Sequence, residues 1–176
     1  MTDPTESAVL VPVPVTEPVV AEHRLRLDSA APAGVPAHVT VLYPFVPPGE
    51  LGPALIERVA EAVRSVPAFS CDFTGPAWFN EHVVWLRPEP DMPFRALTHA
   101  VWQAFPDYPP YGGEHDEPIP HLTIGEVGTG TLEQLRAAET AIRPQLPIEF
   151  RIDEAVVMVG SDAPNSWTVV ARLPLG

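Results

Sequence analysis

At 176 residues and 19.1 kDa the chain suits one domain, or two small lobes sharing a core. Hydrophobic residues make up 45%, enough to bury a core, but no apolar run approaches the ~18 residues of a membrane-spanning helix. The formal net charge of −13, from 10 Arg, no Lys and 23 acidic residues, repels polyanions, so sequence-independent binding of long nucleic acid is not expected.

That field still admits a small nucleotide or an RNA terminus held by a few local donors. Cys71 is the one cysteine, so neither an internal disulfide nor a thiolate-rich metal site is expected. Met1 to Ser7 carries Asp3 and Glu6 and no basic residue, so no secretory signal is read and a cytoplasmic monomer is expected. The 24 Pro are spread between periodic segments and punctuate a fold.

Ala8 to Pro14 reads as a strand whose prolines suggest a sheet edge. Thr16 to Leu27 follows as a helix with Thr16 as capping residue. After a Pro- and Gly-containing loop, His38 to Phe45 is a strand rich in β-branched and aromatic residues. Leu51, Leu55, Val59 and Val63 recur every four positions and mark an amphipathic helix. Phe69 to Phe79 and Val83 to Arg87 are strands joined around Asn80-Glu81.

The second half follows the same order. Phe94, Leu97, Val101 and Phe105 mark a helix, Asp107 to Pro120 a loop, and His121 to Val127 a strand. Leu132, Leu135 and Ile142 mark a helix stopped by Pro144. Ile148 to Val159 and Trp167 to Leu173 are expected to close the fold as a strand pair. The two His-x-Thr motifs stand 83 residues apart (38 to 121), and the helices after them 81 (51 to 132). Such agreement predicts an internal duplication. The expectation is a single bilobal α+β domain over 1–176, with repeats at 8–79 and 82–175. Two antiparallel sheets would face a central cleft, with helices outside.

Strand side chains alternate, so His38 and Thr40 share one face, and His121 and Thr123 share another. Val39, Val41, Leu122 and Ile124 should point into the core. If the two strands face each other, four polar side chains converge on a gap that suits a phosphate. In-line chemistry at a phosphodiester needs a base on the attacking oxygen and an acid on the leaving one. Two imidazoles, with ordinary pKa near ~6.5, can fill both roles. Thr hydroxyls can donate to the non-bridging oxygens. A single His-x-Thr means little. Two copies at equivalent places in a repeat point to catalysis or ligand binding.

His38-Val-Thr-Val-Leu-Tyr-Pro-Phe45, Tyr108-Pro-Pro-Tyr-Gly-Gly113 and Pro120-His-Leu-Thr-Ile124 resemble motifs of the 2H phosphoesterase superfamily, in its bacterial branch named for 2′–5′ RNA ligase. The resemblance implies a duplicated α+β fold, no metal and no other cofactor. It also implies hydrolysis of 2′,3′-cyclic phosphates to 2′-phosphates, in some members with reversible 2′–5′ joining of RNA ends. Carried over by position, His121 would activate water and His38 would protonate the leaving 3′ oxygen. Some members place a basic residue soon after the second motif. Here Gly125-Glu126-Val127 follows, and Glu126 would repel an anion if it faced the cleft. Small cyclic nucleotides or short RNA ends therefore fit better than long strands. The alternative is a nucleotide-binding module on the same scaffold without turnover.

Other residues are weaker candidates. Strict alternation places Tyr43 and Phe45 opposite His38, in the core. Tyr108 and Tyr111 are candidates to stack on a base, and His115 to contact substrate. A metal site from His115, Asp116 and His121 lacks the tight spacing that would make it specific, and none is expected. His23, His82 and His99 read as structural or surface residues. Arg87 and Arg172 either reach the phosphate or are solvated edge residues. Trp78, Trp85, Trp102 and Trp167 occupy apolar positions and are expected in the core.

Overall fold

The computed structural model describes residues 2–176. The first segment contains β1 (Glu6–Pro12), α1 (Glu17–Leu27), β2 (His38–Leu42), α2 (Pro53–Arg64) and β3 (Phe69–Phe79). Then come β4 (Val83–Glu89), α3 (Met92–Ala104), β5 (Leu122–Glu126) and α4 (Leu132–Ile142). The chain closes with β6 (Ile148–Ile152), β7 (Glu154–Gly160) and β8 (Thr168–Pro174).

The strands form two four-stranded antiparallel sheets, ordered β2-β1-β7-β8 and β5-β4-β3-β6. The orders correspond position by position, with a motif strand at one edge of each. Residues 8–79 and 82–175 each give strands to both sheets: β3 joins β4 and β6, while β7 joins β1 and β8. The result is the duplicated α+β fold expected from the repeat. The motif strands β2 and β5 run close together, with Cα atoms within 8 Å.

Three expectations are corrected. Ile148 to Val159 divides at Asp153 into β6 and β7, which belong to different sheets. β6 alternates between cover and exposure, whereas Ala155 to Gly160 is buried throughout, as a strand covered on both faces must be. No Gly or Pro marks that break. β1 is an interior strand, lying between β2 and β7. Its prolines do not interrupt the ladder, because Pro12 is its last residue and Pro14 lies in a 3-10 turn beyond it. Thr16 also differs from expectation. Its hydroxyl donates to the Val13 carbonyl at 2.7 Å instead of capping α1.

One continuous core joins the sheets. Val39, Val41, Leu122 and Ile124 are buried in it, together with Val59 and Val63 of α2 and Leu135 and Ile142 of α4. Each such side chain contributes roughly 1.5–3 kcal/mol by leaving water. α3 packs on β2 and α1 on β5, so each motif strand is backed by a helix. At the second contact a Cβ on Gly125 would stand 2.6 Å from the Leu27 side chain, so the approach of α1 requires glycine.

Candidate active site

Both motif strands carry the same irregularity. Thr40 lies opposite Leu10 and Leu42 opposite Val9, leaving Val41 as an extra residue. Thr123 lies opposite Trp85 and Gly125 opposite Val84, leaving Ile124 extra. Each strand is thus bulged at the residue after its threonine. A bulge resets alternation and re-aims the side chains beyond it. The displaced Val41 carbonyl accepts the Thr98 hydroxyl of α3 at 2.7 Å.

The bulge overturns the placement of Tyr43. Leu42 turns into the core, and Tyr43 lines the same cavity as His38 and Thr40. Its hydroxyl donates to Glu6 Oε1 at 3.0 Å, and burial with that carboxylate pushes its pKa up to about 12. Phe45 is buried as expected.

The histidines are held alike. His38 Nδ1–H donates to the Pro36 carbonyl at 2.8 Å, and His121 Nδ1–H to the Ile119 carbonyl at 2.7 Å. A carbonyl only accepts, so each ring keeps its proton on Nδ1 and leaves Nε2 free as an acceptor when neutral. Burial lowers the pKa of both. His38 falls to about 4, with the Arg24 cation and His121 adding to the effect of burial. For His121 the bond to Ile119 opposes burial. Phe79 and Trp85, which stack at 4.7 Å, pack against the His121 ring at 4.9 and 6.0 Å between centroids.

A cavity of about 460 Å³ opens beside His38 and Thr40 on the face of the first sheet. Ala8 and Leu10 form its floor, with Val156 and Met158 packed beside them. The loop carrying Ser29, Ala30, Ala33 and Val35 forms one wall, and Trp167 another. Glu6, Tyr43 and Asp162 also line it.

The family model of the 2′-5′ RNA ligase superfamily matches residues 11–164. The chain belongs to the 2′-5′ RNA ligase superfamily. Among solved structures, the fold is similar to E. coli LigT complexed with ATP, at TM-score 0.62, 15% identity and 99% of each chain. It is similar to E. coli LigT complexed with 3′-AMP at TM-score 0.59 and 16% identity, over 98% of this chain and 99% of that one. A Thermus thermophilus protein matches at TM-score 0.60 and 14% identity, over 96% of this chain and 97% of that one. These likenesses concern the fold. Comparison with curated proteins yields no match.

A 2′-5′ RNA ligase superfamily chain is of the phosphoesterase or RNA-ligase kind. Around its motifs the remaining candidates divide. Tyr111 adjoins the site: its N–H donates to the Tyr43 carbonyl at 2.6 Å, and burial pushes its phenol pKa up, with Thr40 opposing. Tyr108 packs edge-on against Phe45 at 6.3 Å and joins the core. His115 is exposed and meets the Tyr111 ring at 5.9 Å. Among the described residues no three His, Cys, Asp or Glu side chains are grouped as metal ligands, so His115, Asp116 and His121 do not form such a set. No described helix is long and apolar enough to cross a membrane.

Arg172 pairs with Glu154 at 2.6 Å and is a surface residue. Arg87 is exposed on β4, one position beyond the Leu86–Leu122 pair and therefore beside His121. Its guanidinium lies 5.9 Å from the Trp85 ring and has no carboxylate partner among the described residues. Of the tryptophans expected in the core, Trp85 is buried, Trp78 is partly covered, Trp167 lines the cavity and Trp102 is exposed.

Sequence reasoning misses Arg24, which is buried and bound to Asp28 and the Val35 carbonyl. Its i,i+4 Arg–Asp spacing is visible, but such pairs usually sit in solvent. Glu126 is engaged with the loop over the cavity. Its Oε1 accepts the Ser29 N–H at 3.2 Å, the Ser29 hydroxyl at 2.6 Å and the Thr129 hydroxyl at 3.2 Å, so it fastens the cavity loop.

Proposed function

We propose that the chain is a metal-independent phosphodiesterase that opens 2′,3′-cyclic phosphates of nucleotides or short RNA ends to 2′-phosphates. Water attacks phosphorus and loses a proton to one imidazole. The bond from phosphorus to the 3′ oxygen breaks, and that oxygen takes a proton from the other. Thr40 and Thr123 donate to the non-bridging oxygens. Joining of 2′–5′ ends would follow the same course with a 5′-hydroxyl in place of water, the same bond to the 3′ oxygen breaking, and would use the same four side chains.

The observation that carries the reading is the matched construction of the two motifs. Adjacent edge strands bear the same bulge, and both rings are anchored through Nδ1, leaving two Nε2 atoms for acid–base work. Binding of 3′-AMP and ATP by the structurally similar LigT supports a small nucleotide as ligand. The family resemblance makes His121 the base and His38 the acid. The electrostatics of the free site favour neutral His38 strongly, which suits a base. The roles are therefore assigned by experiment, and the pair is the proposal.

Turnover of a 2′,3′-cyclic mononucleotide should persist in excess chelator. His38→Ala and His121→Ala should each remove at least ~10²-fold of the rate. Undiminished turnover in both variants refutes the assignment. Tight nucleotide binding with no product after long incubation would make the chain a binding module.

A further inference from the structure

Resting on the phosphodiesterase reading, the geometry points to the cavity beside His38 as a nucleoside subsite that selects guanine through the carboxylates of Glu6 and Asp162. The cavity has two chemically different ends joined by an apolar floor. His38 and Thr40 stand at one end, where the phosphate is processed. Glu6, Ala8 and Leu10 share one face of β1, and Leu10 lies opposite Thr40. From Leu10 to Glu6 is four strand positions, roughly 14 Å at ~3.4 Å per residue. Such a span suits a ribose and a purine lying between the phosphate end and the acidic end.

The middle of the cavity is built for a flat apolar ring. Ala8, Leu10, Val35, Val156 and Met158 form a small cluster of their own, separate from the main core, with Tyr43 and Trp167 packed on it. Trp167 is fixed in place. Its Nε1–H donates to the Ser161 carbonyl at 3.1 Å, and its ring lies on Gly160, where any Cβ would collide with it. An indole so held offers a stacking surface with little entropy left to lose.

At the far end the Tyr43 hydroxyl occupies Glu6 Oε1, and Asp162 lines the cavity two residues beyond Gly160, the partner of Glu6 across the sheet. Among the described residues no Arg lines this cavity, and the chain has no Lys. The acidic end therefore offers acceptors and no cationic donor. Guanine presents N1–H and the 2-amino group side by side on one edge, which matches the two oxygens of a carboxylate. Uracil presents one N–H there, and adenine one amino group beside an acceptor that a carboxylate repels. Charge-assisted bonds of this kind are about twice as strong as neutral ones.

The test compares the 2′,3′-cyclic phosphates of guanosine, inosine, adenosine and uridine, with Kd measured for the matching 2′-monophosphates. The expected kcat/KM favours guanosine over uridine and adenosine by at least about tenfold, with inosine between, as each donor contributes. Glu6→Gln with Asp162→Asn should bring the guanosine-to-uridine ratio within about threefold of one. Equal rates for the four bases, or a preference that survives in the double variant, overturns the inference while leaving the phosphodiesterase reading intact. If nothing is turned over, that reading fails. The Kd ratio for the 2′-monophosphates then decides base selection alone, by the same criteria.

Discussion

Arg24 places Nε and Nη2 on a single oxygen of Asp28, at 3.0 and 2.9 Å, with both side chains at least 94% removed from solvent. Nη1 holds the Val35 carbonyl at 3.2 Å, and Asp28 Oδ1 accepts the Ala30 N–H at 3.0 Å. The pair thereby ties the end of α1 to both ends of the loop that walls the cavity. Burial pushes the Asp28 pKa up, with Arg24 opposing it. Arg24→Met strands a buried carboxylate and should cost about 3–5 kcal/mol in urea unfolding. Arg24→Met with Asp28→Asn removes the charge and keeps the Ala30 bond, so more than half of that loss should return. A single variant that loses less than about 1 kcal/mol would show that the pair has no structural role.

Acid should weaken the fold through the same region. His38 titrates near 6.5 when unfolded and at about 4 when folded, so between these values the unfolded chain binds more protons. The stability that neutral His38 contributes is complete above pH 6.5 and is lost as pH falls toward 4. His121 acts in the same direction, since its pKa is also lowered. Asp28 acts in the opposite direction, because its raised pKa favours the folded state as acid is added. A plot of Tm against pH should fall from about pH 7 to 5, and less steeply in His38→Gln. Parallel curves for the two proteins would exclude His38 as a contributor.

Periodicity made part of the fold legible in the sequence. The helices over Leu55, Val59 and Val63 and over Leu135 and Ile142 form as spacing dictates. So do the inward faces of Val39 and Leu122. The features that escape depend on long-range pairing. A bulge at Val41 or Ile124 has no local signature, because the extra residue is defined by the partner strand, and strict alternation misplaces Tyr43 as a result. The division of β6 from β7 is likewise decided by which neighbour each finds, β3 or β1. Arg24 is hidden because burial of a guanidinium depends on the loop folded over it, not on the helix that carries it.

Arg87 supplies a cation next to His121 in a chain of net charge −13. With its guanidinium over the Trp85 ring and free of carboxylates, it is placed to steady an anion arriving at the second motif. Arg87→Met should raise KM for a cyclic nucleotide by about tenfold with kcat changed less than about threefold, as loss of a charge-assisted contact predicts. It should also reduce the dependence of KM on salt. A KM and a salt response unchanged from the parent would remove Arg87 from the site.

Glu126 distinguishes two physical pictures of the second motif. It stands three residues after Thr123, as Tyr43 stands three after Thr40, so both occupy corresponding places beyond a bulge. If its charge mainly repelled substrate, Glu126→Ala would lower KM. The structure instead engages Oε1 with the Ser29 N–H and hydroxyl and with Thr129, and Ser29 is part of the cavity wall. Removing the carboxylate frees that loop, so the nucleotide must order it on binding. The expected result is a KM raised several-fold, with a loss of about 1 kcal/mol because the bonds are solvent-exposed. Glu126→Gln keeps an oxygen acceptor and should recover part of both effects. A KM that falls in Glu126→Ala would restore the repulsive reading and separate the loop from substrate binding.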